Sequence, residues 1–125
     1  MPVRVLVAED QAAFVEGLTM LLGRDPRIEI VGTARDGGEA IDLAVASTAD
    51  VGLMDLTLPR VDGLEATRRL RDVLPDVRVV VLSASSADEA EAAALGAGAA
   101  AFLTKSGAYD ELIETILAVA RARSA

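Results

Sequence analysis

The chain has 125 residues, enough for one domain with its own core and too few for two. Its net charge of −8 and its aromatic share of 2% disfavour both a phosphate-backbone surface and a base-stacking platform, so this segment is not expected to bind nucleic acid. With neither cysteine nor histidine, the sequence excludes disulfides, thiol nucleophiles, cysteine–histidine zinc sites and the Ser-His-Asp arrangement.

The start, Met1-Pro-Val-Arg-Val5, runs straight into a strand pattern and shows no secretory signal. The longest weakly apolar run, Ala92 to Phe102, is too short to span a bilayer. The expectation is a soluble, cytoplasmic protein without membrane contact. The apolar share of 52% is rich in alanine, which suits closely packed helices.

In chain order, Val3–Ala8 reads as the first strand. Phe14, Leu18, Leu21 and Leu22 then recur at helical spacing. Ile28–Thr33 is the second strand, and Asp36-Gly37-Gly38 makes a turn into a helix striped by Ala40, Ile41, Ala44 and Val45. Val51–Met54 is the third strand, and Ala66, Leu70, Val73 and Leu74 mark the third helix. Val77–Ser83 is the fourth strand. Ser86 and Glu89 have capping-box spacing at the head of a helix reaching Gly96. Ala99–Leu103 is an alanine-rich fifth strand, followed by a helix striped by Tyr109, Leu112, Ile113, Ile116 and Leu117. Residues 121–125 read as its frayed end.

Three of the five strand runs are almost continuously apolar, as expected of strands covered on both faces. Five alternating strand–helix units predict an α/β fold, an open parallel sheet with helices on both sides. Ligands bind such sheets beyond the carboxyl ends of the strands. Glu9 and Asp10 follow the first strand, Asp55 follows the third, Ser83 ends the fourth and Lys105 follows the fifth. Taken singly, each is a turn residue, a helix cap or a solvated surface group. Together they place three carboxylates, one hydroxyl and one ammonium at one edge.

Close carboxylates repel unless a cation sits among them, and hard oxygen ligands select a hard cation such as Mg²⁺. A carboxylate can also act as a nucleophile and form an aspartyl phosphate. A metal, an ammonium and a hydroxyl donor are the stabilisers that phosphoryl transfer requires. No Gly-x-x-x-x-Gly-Lys-Ser/Thr loop is present. The string Gly96-x-Gly98-x-x-Ala101 follows a helix and precedes a strand, the reverse of a dinucleotide-binding context.

At these residues the sequence resembles the receiver domains of two-component response regulators. Val-Leu-Val-Ala-Glu9-Asp10 is similar to the family's acidic pair. Leu-Met-Asp55-Leu-Thr-Leu-Pro59 through Asp62-Gly63 is similar to its phospho-acceptor loop, and Val-Val-Val-Leu-Ser83-Ala84 to its hydroxyl position. Ala-Phe102-Leu-Thr-Lys105 is similar to its aromatic switch and lysine. Ala-Glu9-Asp10-Gln11, Phe102-Leu-Thr-Lys-Ser106 and the last helix resemble most the NarL/FixJ (LuxR-type) group.

The resemblance implies a flavodoxin-like (CheY-like) doubly wound five-stranded parallel sheet, (βα)5, with residues 1–125 forming the receiver. It implies a C-terminal output domain outside this chain, DNA-binding in the LuxR-type group. The 125 residues would then be either an isolated receiver or, preferably, one separated from its output domain at the linker. Asp55 would be phosphorylated by a sensor histidine kinase and would bind Mg²⁺ (or Mn²⁺). Asp10 would bind the metal directly, Glu9 through water, and Thr57 through its backbone carbonyl. Lys105 would pair with Asp55 at rest and with a phosphoryl oxygen afterwards. Ser83 would hydrogen-bond another phosphoryl oxygen, and Phe102 would move inward as an apolar rotor without a hydroxyl.

The expected output is a conformational switch, with homodimerisation or release of the output domain, and no enzyme action beyond its own phosphorylation and dephosphorylation. Competing readings are an unphosphorylated receiver-like interaction domain, a haloacid-dehalogenase-like phosphatase and a flavodoxin-like carrier. The phosphatase generally wants a second acid where Thr57 stands, and flavin binding is disfavoured by the scarcity of aromatics.

Overall fold

The structure, a computed structural model, describes residues 1–85, 87–107 and 109–124. Among the described residues, five strands alternate with five helices. In chain order they are β1 (Val3–Ala8), α1 (Ala12–Gly23), β2 (Ile28–Ala34), α2 (Gly37–Ser47), β3 (Val51–Asp55), α3 (Gly63–Val73), β4 (Arg78–Ser83), α4 (Asp88–Gly96), β5 (Ala101–Thr104) and α5 (Tyr109–Ser124). The strands form one sheet in the order β2-β1-β3-β4-β5, with every paired neighbour parallel. This is the expected flavodoxin-like (βα)5 architecture.

Successive side chains of a strand point to opposite faces, so each central strand feeds two cores. Val5 and Val7, Val51 and Leu53, and Val80 and Leu82 face one way, where Leu18 and Leu22 of α1 and Leu112, Ile116 and Leu117 of α5 cover them. Leu6 and Ala8, Met54, and Val79 and Val81 face the other way, under α2, α3 and α4. That second layer is built on Ala40, Ala44, Ala66 and Ala94, so the alanine content lets helices lie close to the sheet. Continuous apolar strands are the consequence of burial on both faces.

Several boundaries and stripe positions differ from expectation. β5 starts at Ala101 rather than Ala99, because the amides of Ala97, Gly98 and Ala99 still donate to carbonyls of α4. Gly98 makes that turn with φ 110, a conformation open to glycine. The Gly96-x-Gly98 string is therefore a helix exit. Helix α4 starts at Asp88 with Ala87 at its cap and no side-chain cap bond. Ser86, expected to head this helix, lies outside the described residues. Helix α5 continues through Ser124, and Ala125, the last residue of the stretch expected to fray, lies outside the described residues. Val45, Val73 and Tyr109 fit their helical stripes by spacing but remain exposed. Val45 and Val73 lie in the closing turns of α2 and α3, where both border a surface groove.

Ile116→Ala should lower stability by about 2–5 kcal/mol, because it opens a cavity in the fully buried layer under α1 and α5. Val73→Ala, at an exposed stripe position, should stay within about 0.5 kcal/mol. Urea unfolding of the two variants checks the assignment of faces.

Candidate functional site

The strand order explains how the site is assembled. Strands β1, β3, β4 and β5 lie side by side, so their carboxyl ends share one stretch of sheet edge. The Ser83 carbonyl accepts from the Lys105 amide at 2.8 Å, and the Leu82 carbonyl accepts from the Leu56 amide at 2.9 Å. The residues beyond β3, β4 and β5 thus start from fixed positions.

All of the acids and the lysine converge. Glu9 and Asp55 are buried, Asp10 is exposed, and one carboxylate oxygen from each lies within 4.8 Å of the others. Lys105 Nζ lies 3.2 Å from Asp55 Oδ1 and also donates to Glu9 Oε1. The other oxygen of Glu9 accepts the Gln11 amide at 2.9 Å. Glu9 therefore braces the backbone turn ahead of α1 while holding the ammonium. Burial disfavours the charged form of Lys105. The hydrogen bond to Glu9 and the charge of Asp55 outweigh that, and its pKa rises above the usual 10.5.

The remaining predicted positions lie around this centre. Ser83 is buried, and its hydroxyl oxygen accepts the Ser85 amide at 3.0 Å. Thr57 is exposed, two residues beyond Asp55 in the β3–α3 loop. Phe102 is half-buried against the α2–α4 layer, paired in register with Val81 rather than with Ser83. In the structure Asp55, Glu9 and Lys105 are in direct contact, Asp10 borders them, and Phe102 stands back along β5.

Two features escaped the sequence reading. The Phe14 ring lies under the ammonium, with Lys105 Nζ 4.8 Å from its centroid, a cation–π contact that restrains the lysine head. By sequence spacing Phe14 belongs only to a helical stripe. Its place in the first turn of α1, four residues after Asp10, is the available signal. The other feature is the tie between Asp36 and Arg60. Asp36 caps α2 through the Glu39 amide at 2.9 Å and also accepts from the Arg60 guanidinium. The amide bond first and the guanidinium second hold its carboxyl below the usual range.

The shape and the residues define a class of protein. The model of the response regulator receiver domain matches residues 5–117, and the chain belongs to that family. DegU, a transcriptional regulatory protein of Brevibacillus brevis, is 36% identical over 119 residues, covering 95% of this chain and 50% of DegU. The signal receiver domain of the response regulator NarL from Mycobacterium tuberculosis superimposes with a TM-score of 0.92 at 33% identity, covering 96% of this chain and 97% of that one. A LuxR-family two-component response regulator from Aurantimonas superimposes with a TM-score of 0.93 at 33% identity, covering 98% and 88%. The chain is a receiver domain of the NarL/LuxR type and spans about half the length of the curated relatives it matches. Among the described residues, no helix is long and apolar enough to cross a membrane.

Lys105→Ala should lower stability by about 3 kcal/mol in divalent-free buffer, since it leaves two buried carboxylates uncompensated. Because the folded state raises the lysine pKa, this contribution is complete below pH 10.5 and is lost as pH rises through the higher folded value. Urea midpoints from neutral to strongly alkaline pH should therefore fall in the wild type and lose that component in the variant.

Proposed function

We propose that this domain is a phosphorylation switch in which Asp55 accepts a phosphoryl group from a sensor histidine kinase in a Mg²⁺-dependent reaction. The observation that carries the reading is the buried Asp55 carboxylate, 3.2 Å from the Lys105 ammonium and grouped with Glu9 and Asp10. The donor set is oxygen throughout, which fits a hard cation. Asp10, Asp55 and the Thr57 carbonyl would hold Mg²⁺ directly and Glu9 would hold it through water; Mn²⁺ suits the same set. When bound, the cation supplies charge neutralisation for the transferred phosphoryl group.

The protein's own groups do the rest. A carboxylate oxygen of Asp55 attacks phosphorus as the bond to the kinase's imidazole nitrogen breaks. Lys105 already contacts Asp55 and moves with it onto a phosphoryl oxygen. Ser83 turns its hydroxyl toward another. The resulting contacts favour a second arrangement of the β4–α4 loop and Phe102, a population shift between two states. Output follows as homodimerisation or as release of a DNA-binding domain, which the likeness to LuxR-type regulators supports. Residues 1–125 serve as the phospho-acceptor domain of such a regulator, in the cytoplasm where these kinases act.

Turnover of an external phosphoester is disfavoured, because Thr57 stands where a dehalogenase-like phosphatase would carry its second acid. With acetyl phosphate and Mg²⁺, intact mass should rise by one phosphoryl group in the wild type and remain unchanged in Asp55→Asn. Equal labelling of the two would remove Asp55 from its role. No labelling of the wild type would favour a receiver-like interaction domain that is never phosphorylated. Asp10→Ala should weaken Mg²⁺ binding by about 1.4 kcal/mol or more, tenfold in Kd, without unfolding the domain. Calorimetric titration checks it.

A further inference from the structure

The loop from β3 to α3, residues 56–62, is tied down at both ends. At its start the Leu56 amide donates to the Leu82 carbonyl at 2.9 Å, and the Leu56 carbonyl accepts the Gly63 amide at 3.1 Å. At its far end the Val61 carbonyl accepts the Gly37 amide at 2.9 Å, which joins the loop to the first turn of α2. Gly37 must lack a side chain there, because a Cβ would collide with the Val61 carbonyl oxygen. Next to that bond, Arg60 donates to the Asp36 carboxylate.

Two details make this pair more than a surface contact. Exposed ion pairs usually contribute little, because solvent screens them and both side chains are mobile. Here the Asp36 side chain is 8% exposed and is fixed by its bond to the Glu39 amide, while Arg60, 72% exposed, lies over it. Arg60 also has φ 61, a left-handed conformation that side chains rarely adopt. Among the described residues, Thr48 at φ 53 is the other non-glycine case, at the C-cap of α2. A backbone held in that region needs surroundings that over-determine it. The guanidinium tie and the Gly37–Val61 bond provide them.

We infer that Asp36 and Arg60 are positioning residues, a latch between α2 and the acceptor loop that sets where the Thr57 backbone stands relative to Asp10 and Asp55. The inference rests on the proposed cation reading, in which the Thr57 carbonyl is a ligand. A loop pinned only at Leu56 and Gly63 is free to shift Thr57. One also pinned at residues 60 and 61 presents that carbonyl ready-made, so Mg²⁺ need not order it on binding. The latch touches no reacting atom.

Two variants separate the latch from simpler roles. Asp36→Asn keeps a side-chain oxygen for the Glu39 amide, and so keeps the helix cap, but loses the charge. Arg60→Gly removes the guanidinium and suits a positive φ, so it relieves the backbone rather than straining it. With the full chain, Mg²⁺ is titrated while amide signals are followed by NMR, and hydrogen exchange is read at the Gly37 amide without metal. Each single variant should bind Mg²⁺ roughly tenfold more weakly. Each should also exchange the Gly37 amide faster, with the urea midpoint little changed.

Asp36→Asn combined with Arg60→Gly should be no worse than either alone, since both remove one interaction. Arg60→Lys should recover most of the affinity. Unchanged Mg²⁺ affinity in both single variants, or losses that add in the double, would overturn the latch while leaving the cation site standing. A wild type that binds no Mg²⁺ would overturn the cation reading and the latch with it.

Discussion

Glu9 and Asp55 are buried at the carboxyl edge of the sheet, and the ammonium of Lys105 is shared between them. Two desolvated carboxylates this close are tolerable only with a cation in contact. The rest of the edge is arranged to deliver one. Lys105 sits at the end of a strand whose register is fixed by β4. Its amide bonds the Ser83 carbonyl, and the Phe14 ring supports its charged head. The acids occupy equally rigid places, Glu9 by its bond to the Gln11 amide and Asp55 as the last residue of the fully buried β3.

This arrangement depends on the strand order. In a sheet running β2-β1-β3-β4-β5, the ends of the four strands that carry the acids, the hydroxyl and the lysine are neighbours, while β2 lies outside them. The second strand nevertheless takes part through the segment that follows it. Asp36 and Gly37 lean across onto the β3–α3 loop, so the segment after the edge strand β2 holds the loop of a strand two places away. The two-faced core permits this, because alanines at 40, 44 and 66 let α2 and α3 approach the sheet and each other.

The sequence made the architecture legible because parallel strands buried on both faces give apolar runs, and because the acids and the lysine each follow one of those runs. It was weakest where local spacing competes with tertiary context. Val45, Val73 and Tyr109 match a helical period yet remain exposed, since periodicity marks a face without saying whether anything covers it. The start of β5 was placed two residues early because alanine suits strand-edge and helix-exit positions alike, and the hydrogen bonds that return to α4 have no sequence signature. Phe14 and the Asp36–Arg60 pair were missed for a related reason. Their partners are distant in the chain, and nothing in Pro59-Arg60-Val61 announces a left-handed arginine.

Charge balance then ties the resting geometry to the proposed switch. Glu9, Asp10 and Asp55 bring three negative groups to the edge and Lys105 one positive group, which leaves two negative charges uncompensated. One divalent cation would cancel them, whereas one monovalent ion would leave a negative charge over. In the proposed reaction, a phosphoryl group on Asp55 would then add negative charge and acceptor oxygens at a place the cation had balanced. The nearest unspent donors must answer it. Lys105 is within reach but divided between two carboxylates. The Ser83 oxygen accepts from Ser85, which leaves its own hydrogen to give. In the proposed switch, movement of Ser83 and the residues just after it toward residue 55 would satisfy the new oxygens. Because Ser83 and Thr104 are register partners, such a movement would be passed to β5, the strand that carries Phe102.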